Sequence, residues 1–372
     1  MPQPPVPSKA AYQAATQLWH ARAHTYRASG AVGWISTSTA IQYDAQLGCY
    51  YCRDVTGDGA TWDSRITRAW QEYNHYVNTV ASPPGQIATF LMHLDGFYQD
   101  YLRSVIRSPT ALANVTAILT QAPYMVSDVE DLTLQEYSRE VAHVGYCHIT
   151  ASMMGYSLSG AQASRREEMK NTSMAHLDRW INNTGTYCRP FMVAITARFL
   201  ILYYQQVSQD PNIITKLADV ANYIWTACWK ESAGAWGPGQ SFLYTDRTGF
   251  DPDDNKTQPD LNAIISPLYA WLWYQTGVQT WRDRHDAIFV GGIPVYSGDT
   301  HISGAYQGTA ASPAVKQINQ QTYWAPQGII WAELDPVNSP PIETPVVKSI
   351  LTFANVRSNK TSTNRSYRPN RR

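Results

Sequence analysis

The sequence predicts an all-α protein, an (α/α)6 toroid of six helical hairpins with an extended C-terminal arm. Apolar residues recur at helical spacing along the chain, and no run alternates as a half-buried strand would. Helices with one charged face alternate with helices that are apolar nearly all round. The heads of the apolar helices fall near residues 41, 88, 139, 190, 261 and 316, a beat of about fifty residues broken by one long insertion. An open solenoid is the rival arrangement, although polar capping repeats are not evident at either end.

The elements follow in order. A first helix is expected over 8–28, ended by Gly30 and Gly33, and a second over 36–55, which stops at Thr56-Gly57-Asp58. Amphipathic 60–80 follows and closes at ASPPGQ, because proline cannot continue a helix. Further helices are expected over 86–106, 109–122, 138–158, 162–182, 188–207, 212–230, 259–276, 279–291 and 314–332. Segments 60–80, 162–182 and 279–291 carry charges on one face and form an outer layer. Segments 138–158, 188–207 and 260–276 are mostly apolar and form an inner one. The stretches VTGDGATWDSRITRAW (55–70) and QTGVQTWRDRHDAIF (275–289) share Thr-Gly, then tryptophan and arginine, where an apolar helix passes to a charged one. The loop at 231–258 is the insertion that breaks the beat. The toroid is expected over 1–335, and 336–372 is a Pro-rich extension ending in a basic tail, NRSYRPNRR.

Composition limits the function. The 372 residues carry 29 Lys+Arg against 29 Asp+Glu, a net charge of zero that argues against nucleic acid as a partner. Thirteen Trp and 24 Tyr suit a large core and equally a sugar-binding cleft. Five cysteines are odd in number and sparse; Cys49 and Cys52 form a CxxC inside an apolar helical run, and buried free thiols are expected. The opening MPQPPVPSKAAY lacks a basic segment followed by an apolar run, so no secretory leader is expected. No segment approaches a membrane span, so no membrane partner is expected either. Localisation stays open between a processed extracellular or periplasmic form and a virion-associated one. His143 and His148 are not spaced as metal ligands, and DPDDN (251–255) lacks the spacing of a calcium loop. No metal or cofactor is expected.

The layout resembles the six-hairpin glycosidase superfamily, whose inner helices surround a central cleft. The stretches YDAQLGCYYCRDVTGD, YSREVAH, QPDLNAIISPLYAWLWYQTG and KQINQQTYW look similar to those of a bacterial group of uncharacterised (α/α)6 proteins thought to act on polysaccharides. The resemblance covers residues 8 to about 335 and implies a polysaccharide or oligosaccharide as partner, and mostly inverting chemistry.

In an alternating toroid the inner helices run the same way and open their N-terminal ends on one face. That brings together Tyr43 and Asp44, Arg139 and Glu140, Arg189, Asp260 and Asn262, and Gln317 and Gln320. Glycosidic cleavage needs one acid to protonate the leaving oxygen and a second carboxylate to activate water or attack. Glu140, in apolar surroundings, is expected as general acid, with Asp44 or Asp260 as base and a separation of roughly 6.5–9.5 Å. Each acid also has a structural reading: Asp260 as a charge at a helix start, Asp44 as a buried hydrogen-bonded carboxylate, Glu140 as a partner of Arg139 or Arg189. Tyr43, Arg139, Arg189, Asn262, Gln317 and Gln320 are expected to bind substrate, with Trp236 and Tyr244 from the 231–258 loop as a cleft wall. A polysaccharide lyase is the nearest alternative, with Tyr43 or a histidine as base and an arginine neutralising a uronate. A non-enzyme that binds glycan, or that assembles with a partner through the C-terminal arm, is the other.

Overall fold

The computed structural model describes residues 44–79, 94–121, 137–182, 187–232, 234–235, 239–249, 254–292, 308–309, 312–313 and 324–337. Among these the chain forms α1 (Ala45–Thr56), α2 (Gly59–Thr79), α3 (Leu94–Arg103), α4 (Ser108–Gln121), α5 (Ser138–Met153), α6 (Gly160–Ile181), α7 (Pro190–Gln206) and α8 (Pro211–Cys228). Then come β1 (Trp229–Lys230), β2 (Ser241–Phe242), a 3-10 turn (Pro259–Leu261), α9 (Asn262–Thr276), α10 (Gln279–Gly292), β3 (Gly308–Thr309), β4 (Ser312–Pro313) and α11 (Ala325–Glu333). The described protein is all-α apart from these two-residue strands. The expected helix at 8–28 lies outside the described residues.

Local chemistry sets the ends. Asp44 caps α1 by accepting from the Leu47 N–H at 2.9 Å, and Gly57, at φ 71°, closes it in the left-handed region that glycine adopts without strain. Ser159 and Gln162 cap α6 reciprocally, and proline opens α7 and α8 at positions where no N–H partner is needed. Gly277, at φ 68°, ends α9. Three expectations shift. The helix expected over 36–55 begins within the described residues at Ala45, with Asp44 at φ 40° outside it; of the one expected over 314–332 the described part is α11, which starts at Ala325 after a non-helical Trp324, and 314–323 lie outside the described residues. Helix 138–158 stops at Met153, and Gly155 follows at φ 83°.

The odd-numbered helices form one layer in chain order: α1 packs on α3, α3 on α5, α5 on α7, α7 on α9 and α9 on α11. The even-numbered helices lie outside them, each against the odd helix before it, with α2 on α4 and α6 on α8. Every residue of α7 from Pro190 to Tyr203 is buried, whereas α6 buries one stripe. Small residues permit the closest approaches. A Cβ on Gly145 of α5 would come within 2.2 Å of the Phe199 ring of α7, and one on Gly328 of α11 within 2.9 Å of Pro267 Cα in α9.

The long insertion is pinned at its base. β1 and β2 pair antiparallel, Trp229 opposite Phe242, and Phe242 is buried against Trp225, Trp229 and Tyr269. Strands of two residues are too short to show as alternation in sequence. After α11 the chain folds back: the Val337 N–H donates to Tyr274 O at 3.0 Å, and Pro336 lies beside Gly277.

Candidate functional site

Asp44 is fully buried at the head of α1. Its Oδ1 takes the Leu47 N–H, and its Oδ2 takes the Gly96 N–H of α3 at 2.7 Å. Burial, and after it the charge of Asp95, pushes the Asp44 carboxyl up to about 7, against the opposing pull of those two N–H groups and of Arg198. Gly96 has to be glycine here, since a Cβ would stand 2.6 Å from Asp44 Oδ1. The helix expected over 36–55 would hold Asp44 in its interior; instead its side chain caps α1 and, as a buried hydrogen-bonded carboxylate, ties α1 to α3.

Glu140 lies buried in the first turn of α5 and pairs with its neighbour Arg139, whose Nε is 2.9 Å from Oε1; the Glu140 Oε2 is buried with no hydrogen-bond partner among the described residues. Arg189 stands just before α7, its guanidinium 4.6 Å from the Tyr187 ring centre and 5.0 Å from that of Tyr244, which stacks on Phe191 at 5.7 Å. Arg189 and Tyr244 do therefore meet, as a cation-on-ring contact at the foot of the insertion. Asn262 is fully buried; its amide donates to Gln240 O at 2.8 Å and Ile288 O at 3.0 Å and accepts from Ser241 at 3.1 Å. Those contacts commit the side chain to holding β2 and α10 against α9. Asp260 belongs to the 3-10 turn before α9. Tyr43, Trp236, Gln317 and Gln320 lie outside the described residues.

The cleft itself opens elsewhere. It offers about 70 Å³ of space to water-sized contents and opens to solvent, and among the described residues it draws its wall from α1, α3, α5, α7 and α11 together with Trp324 just before α11. Asp95 of α3 and Arg198 of α7 form an ion pair across it, with side chains 15% and 7% exposed. The Tyr146 hydroxyl of α5 donates to Asp95 Oδ1 at 2.8 Å, and the Arg198 guanidinium lies 4.7 Å from the centre of the Tyr146 ring. Three inner helices thus meet at one polar cluster. Tyr51, Tyr98, Trp324 and Trp331 supply aromatic faces, and Gln99, Gln205 and Gln327 supply amides. Burial raises the Tyr98 phenol to about 12 and raises that of Tyr51 as well, with Asp95 adding to both, so each keeps its proton as a donor. None of Asp44, Glu140, Arg139, Arg189, Asn262 or Tyr244 lines this cleft; Asp44 sits directly behind it, bonded to the residue after Asp95.

Asp95 and Arg198 did not figure among the expected site residues. The signal that could have found them is Arg198 itself, a lone cation in the apolar run PFMVAITARFLILYY, since a charge buried in such a helix needs an acidic partner. A second buried cluster lies at the other end of α3. Asp100 accepts from Tyr50 at 2.5 Å, Arg107 Nε at 2.6 Å and Gln46, which joins α1, α3 and the turn into α4. Among the described residues no group of three or more His, Cys, Asp or Glu is placed to hold a metal ion, and no helix is long and apolar enough to cross a membrane. Cys147, Cys188 and Cys228 are buried free thiols, and Cys49 is buried as well. Comparison with protein-family models, curated proteins and solved structures finds no match to the chain.

Proposed function

We propose that this protein is carbohydrate-active, a glycan-binding protein whose hairpins close as an (α/α)6 toroid around the Asp95–Arg198 cleft. One observation carries the reading: aromatic faces, tyrosine hydroxyls, amides and a carboxylate–guanidinium pair share a single open cleft. Sugars are apolar on their ring faces and polar at their hydroxyls, so a site for them needs both kinds of surface. The ring is supported by α1 and α11, first and last of the inner layer, which border the same space.

Glycosidic cleavage at this cleft is the second reading, and Asp95 favours it. Asp95 is the carboxylate on the wall, and Asp44 behind it, titrating near 7, holds a proton over much of the acidic range. Hydrolysis needs two carboxyls that both reach the scissile bond. Asp44 is sealed from solvent, and Asp95 is the one acid among the described residues lining the cleft; binding therefore leads and hydrolysis follows. Glu140 does not line this cleft, so the scheme that pairs it with Asp44 or Asp260 belongs to the helix heads and not to this wall; a lyase would instead leave an unsaturated product.

The test is to incubate the protein with neutral and acidic polysaccharides while following heat of binding, new reducing ends and near-ultraviolet absorbance. Binding without new ends is the expected result. New ends mark a hydrolase, new ends with absorbance a lyase. No binding across the panel overturns the carbohydrate reading and leaves an assembly role for the fold.

A further inference from the structure

We infer that the cleft selects a neutral, hydroxyl-bearing sugar over an acidic one, and that Gln99 is the side chain that reads a ligand hydroxyl. The inference rests on the carbohydrate reading above and names its substrate class.

The charges on the described wall of the cleft cancel within the protein. Arg198 is the cation there and Asp95 the anion, and they hold each other, with Tyr146 donating to Asp95 and its ring under the guanidinium. A uronate or sulfated sugar would bring a further negative charge beside an ion pair that is itself largely withdrawn from water and whose cation is already engaged. It would have to compete with Asp95 for Arg198 or stay unpaired, and an unpaired charge away from water is costly. A neutral sugar meets no such penalty.

Gln99 supplies the positive half of the argument. It lies on α3 one turn beyond Asp95, is 2% exposed and lines the cleft; its Oε1 is closed to water and has no hydrogen-bond partner among the described residues, so the amide turns toward the cleft to meet a ligand. A buried acceptor left unpaired costs free energy that a ligand O–H removes on binding. The same amide carries an NH₂ that can donate, so one glutamine can both accept from and donate to vicinal hydroxyls. The carboxylate group of a uronate only accepts and cannot satisfy Oε1, so it is a sugar hydroxyl that Gln99 reads, and the discrimination between neutral and acidic sugars rests on the engaged ion pair.

The experiment measures binding of neutral and uronate oligosaccharides of equal length by calorimetry, with tryptophan fluorescence as a second readout. The parent protein and Gln99→Leu are both tested, and their melting temperatures are recorded. The expected result is a neutral ligand bound at least roughly tenfold more tightly than the uronate, with a preference that salt hardly changes. Gln99→Leu should weaken neutral binding by about tenfold while its melting temperature stays level or rises, because the substitution removes a buried unpaired acceptor. Tighter uronate binding that weakens as salt rises would overturn the selectivity and leave the carbohydrate site standing. Unchanged affinity in Gln99→Leu would overturn the role of Gln99. Failure of both sugars to bind the parent would remove the carbohydrate reading itself.

Discussion

A carboxylate and a guanidinium that are both largely withdrawn from water have to compensate each other, and Asp95 and Arg198 do so across three helices. Asp95→Asn leaves the Arg198 cation without its counter-charge, so unfolding in urea should show a loss of about 3–5 kcal/mol. Removing both charges in Asp95→Asn with Arg198→Met should recover most of that stability without restoring ligand binding, which separates the pair's structural role from its role in the cleft. Asp44 makes a different prediction. Its carboxyl titrates at 3.8 as a reference value and at about 7 in the folded protein, so between those values the native state binds the extra proton. The stabilisation is fully present below about pH 4 and is lost as pH rises through about 7, on the order of 4 kcal/mol in all. Asp44→Asn should flatten that slope in a series of urea midpoints from pH 4 to pH 8, and an equal slope in the variant would clear Asp44 of the effect. Glu140→Gln should leave sugar affinity at the parent value, since Glu140 is not on the wall; a loss of turnover on a glycan that the parent cleaves would return it to the mechanism.

At the level of elements, the order of helices was legible because the inner helices α5, α7 and α9 are apolar nearly all round and several helices are punctuated by a residue with one physical meaning. Gly57 and Gly277 stop helices in left-handed conformations, and Pro190 and Pro211 begin them. The ends were less legible where a cap reads as an interior residue. Asp44 stands among residues that also suit a helix, and only its bonds to Leu47 and Gly96 mark it as a boundary. The site was read from helix heads, whereas the cleft is walled by residues two or more turns into α5 and α7, where Tyr146 and Arg198 sit. Pairs such as Asp95 with Arg198 are 103 residues apart, and their meeting depends on packing that local patterns do not encode. That packing can be tested directly. Gly145→Ala drives a methyl into the Phe199 ring between α5 and α7 and should cost about 1–3 kcal/mol by thermal unfolding. Gly160→Ala, at the open first turn of α6, should change stability by less than about 0.5 kcal/mol.

For the whole molecule, α1, α3, α5, α7 and α11 border one cleft, as the closed ring proposed for the inner layer requires. The measurement that tests this account most directly is a crystal structure of the protein soaked with a neutral oligosaccharide. The account predicts the sugar in the cleft, a ring face on an aromatic side chain such as Trp324 or Trp331, hydroxyls at Gln99, and the Asp95–Arg198 pair intact beneath it. Sugar bound instead at the Arg189–Tyr244 contact or beside Glu140, or an empty cleft in crystals that hold the sugar elsewhere, would contradict it.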